Sequence, residues 1–325
     1  MSNAGLNLFK LRYMTRQKLT FASDTKLLNE NNGQAILITG ATNGIGKEVA
    51  LELLAQGHHV IIHGRNPKKI DQTVSEAVAR VPDAKIDTIL ADFSSLQKVK
   101  SMAEELKTRF PRLDVLINNA GVYSNKHRYS ADGFELAFGV NYLATFALTL
   151  QLMPLLAKSS SARIINMSSV GHRYVWINPL DIESQHFFWG WVNYCRSKLL
   201  LIPFTFRLSE FLAGTNITVN ALHPGVIIGT EVTNTAFIKW GLPLEKGAAT
   251  VINLVTNPEL EQMNGKYIER YRMSTPSPMA NDKGLKSRLW IRSFKWAGLN
   301  QEACEQELLA LNQNDQKCNP PCACL

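Results

Sequence analysis

Residues 35–46 read Ala-Ile-Leu-Ile-Thr-Gly-Ala-Thr-Asn-Gly-Ile-Gly, and this stretch decides the fold. An apolar run with the character of a buried strand ends in glycines spaced G-x-x-x-G-x-G, at Gly40, Gly44 and Gly46. Helical spacing follows through Ile45, Val49, Leu53 and Leu54, and Gly57 ends it. A strand, a glycine turn and a helix in that order put bare backbone N–H groups at a helix N-terminus. A pyrophosphate can approach them without meeting a Cβ. Glycines also serve plain turns, so the weight comes from the position of this turn in the first strand–helix unit. Asn43 and Ile45 belong to the same turn and join the three glycines as candidate cofactor contacts.

The same alternation continues outward. Further strands are predicted at 59–63, 85–91, 114–118, 163–167, 217–222 and 266–271, with helices at 67–80, 96–109, 134–157 and 194–212 between them. Strand–helix alternation over this length predicts an α/β fold: a single Rossmann-type, doubly wound parallel sheet of about seven strands, with helices on both faces. Residues 1–32 are read as a basic N-terminal extension and 33–272 as the dinucleotide-binding and catalytic domain. Residues 273–325 are read as a C-terminal helix, near 285–297, followed by a polar tail. Residues 136–157 carry no charge and are long enough to span a bilayer, but they include Asn141, Thr145, Thr149, Gln151 and Pro154. Buried helices of large α/β domains are equally apolar, and the motifs on either side place this one inside a soluble fold.

Of 325 residues, 45% are hydrophobic and 19% charged, which suits a chain with a sizeable core and argues against disorder. The formal net charge is +8, but the basic residues are scattered, so nucleic acid is not expected as a partner. The five cysteines are odd in number and four lie beyond residue 300, which argues against a disulfide framework and for a reducing compartment. His59 and His63 fall on one strand, where four residues span roughly 13 Å, so no metal site is expected.

The end of the second strand tests cofactor selectivity. A site for NAD usually carries an acid there, on the ribose 2′-hydroxyl. Here the sequence reads His63-Gly64-Arg65-Asn66, and no acid follows until Asp71. Arg65 is suited to pair bidentately with a 2′-phosphate, which points to NADP(H). The alternative is that Arg65 is only a solvated loop residue.

Four later motifs fall where such a sheet would need them. Asn118-Asn119-Ala120-Gly121 ends the fourth strand, and Asn141 lies in the long helix. Ser168-Ser169 ends the fifth strand, and Tyr194-Cys195-Arg196-Ser197-Lys198 opens the next helix. Taken in order with the glycine turn, they resemble the short-chain dehydrogenase/reductase family over about residues 35–272. The strings ADGFELAFGVNYLATF (131–146), ARIINMSSVGHR (162–173), YCRSKL (194–199) and HPGV (223–226) are similar to its retinol dehydrogenase-like branch. Ser169 and Tyr194 are 25 positions apart, the longer spacing of that branch.

The chemistry this implies follows from the side chains. Tyr194 and Lys198, four apart, share one helix face. A free phenol titrates near ~10, too high for an acid/base at neutrality, and an ammonium beside it is expected to lower that value. Tyr194 would then give a proton to a carbonyl oxygen, or take one from an alcohol, as hydride moves between substrate and nicotinamide. Ser169 would hydrogen-bond the reacting oxygen. It is preferred over Ser168 because the family pattern sets its serine directly before the Val-Gly pair. The resemblance gives Asn141 the role of holding the long helix open for a water linking Lys198 to solvent, and has Lys198 also hold the nicotinamide ribose. It assigns Asp92 to the adenine ring, Asn118 and Gly121 to the adenosine side, and Pro224, Gly225 and Val226 to the nicotinamide. Thr230 is assigned to the carboxamide or pyrophosphate, although HPGVIIGTE carries one residue more than the commoner pattern before that threonine.

Residues 172–193 hold Tyr174, Trp176, Phe187, Phe188, Trp189 and Trp191, and 230–243 adds Phe237, Ile238 and Trp240. Such aromatics either wall a pocket for a bulky apolar carbonyl or alcohol (retinoid, steroid or lipid aldehyde) or pack the loops against the core or a partner subunit. The reading that follows is an NADP(H)-dependent oxidoreductase. The alternative is a catalytically silent cofactor-binding scaffold, which has no physical need of Asn141, Ser169, Tyr194 and Lys198 together. The expected location is cytoplasmic. Peripheral membrane association or organelle targeting is the alternative, through the basic stretch with Lys10, Arg12, Arg16 and Lys18 or through Cys322-Ala323-Cys324-Leu325, which has the shape of a prenylation box. The sequence does not settle the oligomeric state; the resemblance makes a homodimer possible, since the long helix and the Tyr194 helix are surfaces the family commonly uses to dimerise.

Overall fold

A computed structural model describes residues 33–178, 180–183, 189–228, 230–236 and 241–318. The basic N-terminal stretch, Phe187, Phe188, Phe237, Ile238, Trp240 and the terminal Cys322 and Cys324 lie outside these residues.

Seven parallel strands form the sheet: β1 (Ala35–Ile38), β2 (His59–Gly64), β3 (Ile86–Leu90), β4 (Val115–Asn118), β5 (Ala162–Met167), β6 (Ile217–His223) and β7 (Tyr267–Glu269). An eighth, β8 (Arg272–Met273), runs antiparallel on β7. The spatial order is β3-β2-β1-β4-β5-β6-β7-β8, so the winding reverses between β1 and β4. A crevice opens at the carboxyl ends of the strands at such a point. β1 is apolar throughout because both its faces are covered. Ile36 and Ile38 enter one core cluster and Leu37 the other, all with no exposed surface.

Helices α1 (Gly44–Ala55) and α2 (Pro67–Arg80) and a later helix, α6 (Leu244–Thr256), cover the first face. Helices α3 (Leu96–Arg109), α4 (Ala144–Gln151), α5 (Gly190–Phe211) and α7 (Lys283–Ala297) cover the other. Among the described residues no helix is long and apolar enough to cross a membrane.

Several elements differ from the sequence-based expectation, and α6 has no counterpart in it. The strand predicted at 266–271 is a hairpin: Arg270 takes a left-handed backbone (φ 57°), the chain turns, and β8 returns. The long helix is interrupted twice. Phe138–Leu143 is wound as a π-helix, and the helix breaks at Leu152, where the following Pro154 has no N–H to continue it. The Tyr194 helix starts at Gly190, so that Tyr194 sits inside its second turn. In place of the polar tail stands α8 (Gln301–Cys318). It is anchored by the buried Leu308 and by Glu305, whose carboxylate accepts the Trp290 indole N–H at 2.7 Å.

α7 lies across α4 and α5. Trp290 packs on Phe146, Phe204 and Phe211 with ring centroids 5.2–6.4 Å apart, and Phe294 packs on Phe146 at 5.1 Å. The Tyr142 hydroxyl meets Ser293 Oγ at 2.6 Å. α7 of the same chain thus covers part of the surface of α4 and α5.

Candidate active site

A cleft of about 340 Å³ runs along the carboxyl ends of the central strands. Its floor is the glycine turn. Gly40 and Gly44 have left-handed backbones (φ 66° and 55°), and a Cβ on Gly40 would stand 2.9 Å from Ala120 Cα. Asn43 caps α1, its Oδ1 accepting the Gly44 N–H at 2.9 Å. Gly40, Asn43, Gly44 and Ile45 all line the cleft. Gly46 does not. A Cβ there would come within 2.3 Å of Asn119 Nδ2 and 2.6 Å of the Gly40 carbonyl, so this glycine serves the close packing of helix on strand end.

The turn is held from β4. Asn119 Nδ2 donates to the carbonyls of Thr39 (2.8 Å) and Gly40 (3.1 Å), and Thr39 Oγ1 accepts the N–H groups of Asn119 and Ala120. It is held from β2 as well. His63 Nδ1 accepts the Gly40 N–H at 3.1 Å while its Nε2 meets the Ala91 carbonyl at 3.1 Å, so the ring is neutral with its proton on Nε2. Burial pulls the His63 pKa down to about 4, and the ring stacks on Phe93 at 4.4 Å.

Arg65 stands exposed on the rim where β2 ends, and Lys69, one helical turn on, joins it in lining the cleft. Asp92 lines the same end and accepts the Ser94 N–H at 3.0 Å. Burial works to raise its pKa, but the Ser94 hydrogen bonds and the charges of Arg65 and Lys98 outweigh it and hold the carboxyl below its usual range. Asn118 corrects an expectation. It is buried inside the sheet, its amide donating to Thr149 Oγ1 (2.9 Å) and Asn166 Oδ1 (2.8 Å), and it does not line the cleft. Asn118 is still paired, as the last residue of β4, so Asn119, Ala120 and Gly121, which follow the strand, take that place.

At the other end stand the four residues expected to do chemistry. Ser168 is turned away, its hydroxyl on the Lys198 carbonyl at 2.7 Å. Ser169 lines the cleft and hydrogen-bonds the Tyr194 side chain. Burial pushes the Tyr194 phenol well above its ordinary value, and the Ser169 hydrogen bond works against this. Lys198 Nζ donates to the Met167 carbonyl at 2.8 Å, and burial pulls its pKa down to about 8. The expected lowering of the phenol by Lys198 is thus not what the site shows, because desolvation dominates both groups. Gly121 leaves them room: a Cβ there would lie 3.2 Å from Lys198 Nζ.

Asn141 is fully buried in the π-helical segment. Its Nδ2 donates to the Val122 carbonyl (3.0 Å) and Ser197 Oγ (2.9 Å), and its Oδ1 accepts the Val122 N–H (2.7 Å). It pins the loop after β4 to the Tyr194 helix. Pro224, Gly225 and Val226 line the cleft, as does Thr230, whose methyl would lie 3.4 Å from a Cβ on Gly44. The extra residue in HPGVIIGTE therefore does not displace this threonine.

The aromatics divide in a way neither expectation covered. Trp191 lines the cleft and stacks on Tyr194 (5.8 Å, 26°), and Tyr123 meets both rings edge-on. Tyr174, Trp176 and Trp189 are 73%, 65% and 63% exposed and do not line this cleft. Val122, Val140, Ile227 and Val232 complete the apolar wall. Sequence reasoning missed Asn119, His63 and Lys69. The second Asn of Asn-Asn-Ala-Gly and the cation one turn past Arg65 were visible signals; nothing marked His63 apart from its place at the strand end.

A glycine floor that a Cβ would fill, two exposed cations at one end and a Tyr–Ser pair at the other suit an elongated dinucleotide. The comparisons agree. The family model for short chain dehydrogenase matches residues 34–239. Retinol dehydrogenase 14 of Mus musculus is 37% identical over 293 residues, covering 82% of this chain and 87% of its own, and retinol dehydrogenase 13 of the same species is 36% identical over 282, covering 82% and 84%. Polyprenol dehydrogenase of Homo sapiens is 33% identical, covering 81% and 84%. Among solved structures, a short chain dehydrogenase of Escherichia coli CFT073 complexed with NADPH superposes with a TM-score of 0.61 at 25% identity, covering 76% of this chain and 99% of its own. The chain belongs to the short-chain dehydrogenase family of nicotinamide-dependent oxidoreductases, on its retinol dehydrogenase-like branch.

Proposed function

We propose that the protein interconverts a carbonyl and an alcohol on a bulky apolar substrate, of the retinoid, steroid or lipid aldehyde and ketone class, with NADP(H) as cofactor and Tyr194 as acid/base. One observation carries this reading: the Tyr194 hydroxyl rests on Ser169 under an apolar wall, in the same cleft as the glycine turn. When bound, the cofactor supplies or accepts the hydride. Gly40, Asn43, Gly44, Ile45 and Gly121 would receive its phosphates and adenosine side, and Pro224, Gly225, Val226 and Thr230 its nicotinamide side.

In the direction of reduction, Tyr194 gives its proton to the carbonyl oxygen. A buried, protonated phenol is ready to do so, and Ser169 donates a hydrogen bond to the same oxygen as negative charge develops. Lys198, with a pKa near 8, changes charge close to neutrality and so can settle the phenolate left behind. Asn141 holds the loop and the helix that carry these groups. The charged side chains along the cleft, Arg65, Lys69, Asp92 and Lys198, leave the wall of Trp191, Val122, Val140, Ile227 and Val232 for an apolar substrate.

Arg65 and Lys69, with no acid between them on the rim, support NADP(H) over NAD(H). Arg65→Ala is expected to raise KM for NADPH about 10- to 100-fold, the worth of a charge-assisted hydrogen bond pair, and to leave KM for NADH nearly unchanged. Steady-state kinetics with each cofactor checks this. A wild-type preference for NADH would remove the role given to Arg65.

A further inference from the structure

The turn that carries Ser169 is held by a histidine outside the cleft. His172 is fully buried, with its ring edge against Tyr267 at 5.0 Å. Its Nδ1 stands 2.6 Å from the Ser169 carbonyl, which can only accept, so Nδ1 carries the proton. Its Nε2 accepts the Ser277 backbone N–H at 3.1 Å, which requires that nitrogen to be bare. Both contacts therefore demand the same neutral tautomer. The Ser169 carbonyl takes a second hydrogen bond from the His172 backbone N–H at 3.2 Å, and Ser169 Oγ accepts the Gly171 N–H at 3.1 Å. Gly171 itself cannot carry a side chain, since a Cβ would lie 2.5 Å from Cys195 Sγ. Beyond the ring, Ser277 caps the turn Pro278–Asn281, and Asp282 then caps α7.

We propose that His172 is a positioning residue for Ser169: its imidazole clamps the carbonyl of the catalytic turn to the backbone of the segment that leads into α7. This rests on the functional reading above. The clamp sets where the Ser169 hydroxyl points. With one of its lone pairs already taken by Gly171, that hydroxyl directs its remaining capacity at Tyr194 and the substrate oxygen. A displacement of about 1 Å at such a group costs turnover about 100-fold while leaving binding of cofactor and substrate largely intact. The C-terminal segment thereby becomes a support of the active site from outside the sheet.

The test uses the full-length protein and an apolar aldehyde that the wild type reduces with NADPH. His172→Phe keeps a ring and loses both hydrogen bonds; kcat should fall about 10- to 100-fold with KM for both substrates nearly unchanged. His172→Asn restores an amide N–H near the Nδ1 position and should recover most of kcat. Should His172→Phe fail to fold, Ser277 decides the matter. Its φ of −61° accepts proline, so Ser277→Pro deletes only the N–H to Nε2 beyond the loss of the hydroxyl, while Ser277→Ala loses the hydroxyl alone. Turnover should fall in Ser277→Pro and hold in Ser277→Ala. Equal turnover in the two serine variants, or wild-type kcat in a folded His172→Phe, would overturn the proposal. NMR of nitrogen-labelled histidine reads the tautomer without any turnover: a proton on Nδ1 supports the clamp and a proton on Nε2 overturns it. An inactive wild type would count against the functional reading, whereas an active wild type with indifferent variants would count against the clamp alone.

Discussion

Tyr194→Phe should lose turnover by about 1,000- to 10,000-fold while folding normally and binding NADPH as the wild type does, because only the proton donor is removed. The ring's stacking on Trp191 and its edge contact with Tyr123 survive the change, so the walls of the cleft stay in place. The hydroxyl is also a partner of Ser169, which keeps its hydrogen bond from the Gly171 N–H when Tyr194 is changed. Phenylalanine removes a buried polar atom rather than adding one, so stability should be equal to or above that of the wild type. Turnover kinetics, cofactor-quenched tryptophan fluorescence and a thermal melt together check the three parts. Retained turnover would move the acid/base role away from this residue.

Stability should fall steeply on the acid side, between about pH 6.5 and pH 4. Burial lowers His63 and His172 to about 4 and His223 to about 3, all below the ordinary histidine value near ~6.5. In that window the unfolded chain binds protons that the folded chain refuses, so unfolding is favoured as pH drops. The stability these neutral rings permit is complete above about pH 6.5 and is lost as pH falls towards their folded values. Each contributes at most about 1.4 kcal/mol per pH unit. Three together approach ~4 kcal/mol per unit, against a total stability of only about 5–15 kcal/mol for an ordinary domain. Glu135, raised by its burial, works in the opposite direction over its own titration range. Denaturant midpoints measured from about pH 7 to pH 5 should drop sharply. His63→Asn, which cannot be protonated, should flatten the profile even where it lowers the midpoint. A level midpoint over this range would contradict the neutral rings that hold the glycine turn and the Ser169 turn.

The parts of the molecule that were legible in the sequence are those where local pattern and global packing demand the same residues. Ile36, Leu37 and Ile38 are apolar because both sheet faces are covered, and Gly40 and Gly44 are glycine because the backbone there is left-handed. Tyr194 and Lys198 were readable as one helix face. Other features leave weaker traces. Residue types alone do not mark Phe-Gly-Val-Asn-Tyr-Leu as a π-helix; only the resemblance pointed to an opening at Asn141, whose side chain bonds Val122 and Ser197, partners 19 and 56 positions away. Asn118 and Asn119 are the same residue type, and only the strand's last paired position decides which one enters the sheet and which one binds the glycine turn. α8 has only a narrow apolar stripe, Cys304, Leu308 and Leu311 at helical spacing, so it is held by a few contacts with α7 and the core, such as Leu308 and the Trp290–Glu305 bond. Arg270 takes a left-handed backbone that its residue type does not announce.

The central claim, hydride transfer to an apolar carbonyl at Tyr194, is tested most directly with NADPH deuterated at the transferable position and an apolar aldehyde, by mass analysis of the alcohol. The expected product carries one deuterium on the carbinol carbon with the wild type, and Tyr194→Phe forms almost none of it. An unlabelled alcohol, or bound NADPH with no product across a panel of apolar aldehydes and ketones in either direction, would contradict the account and leave a cofactor-binding scaffold in its place.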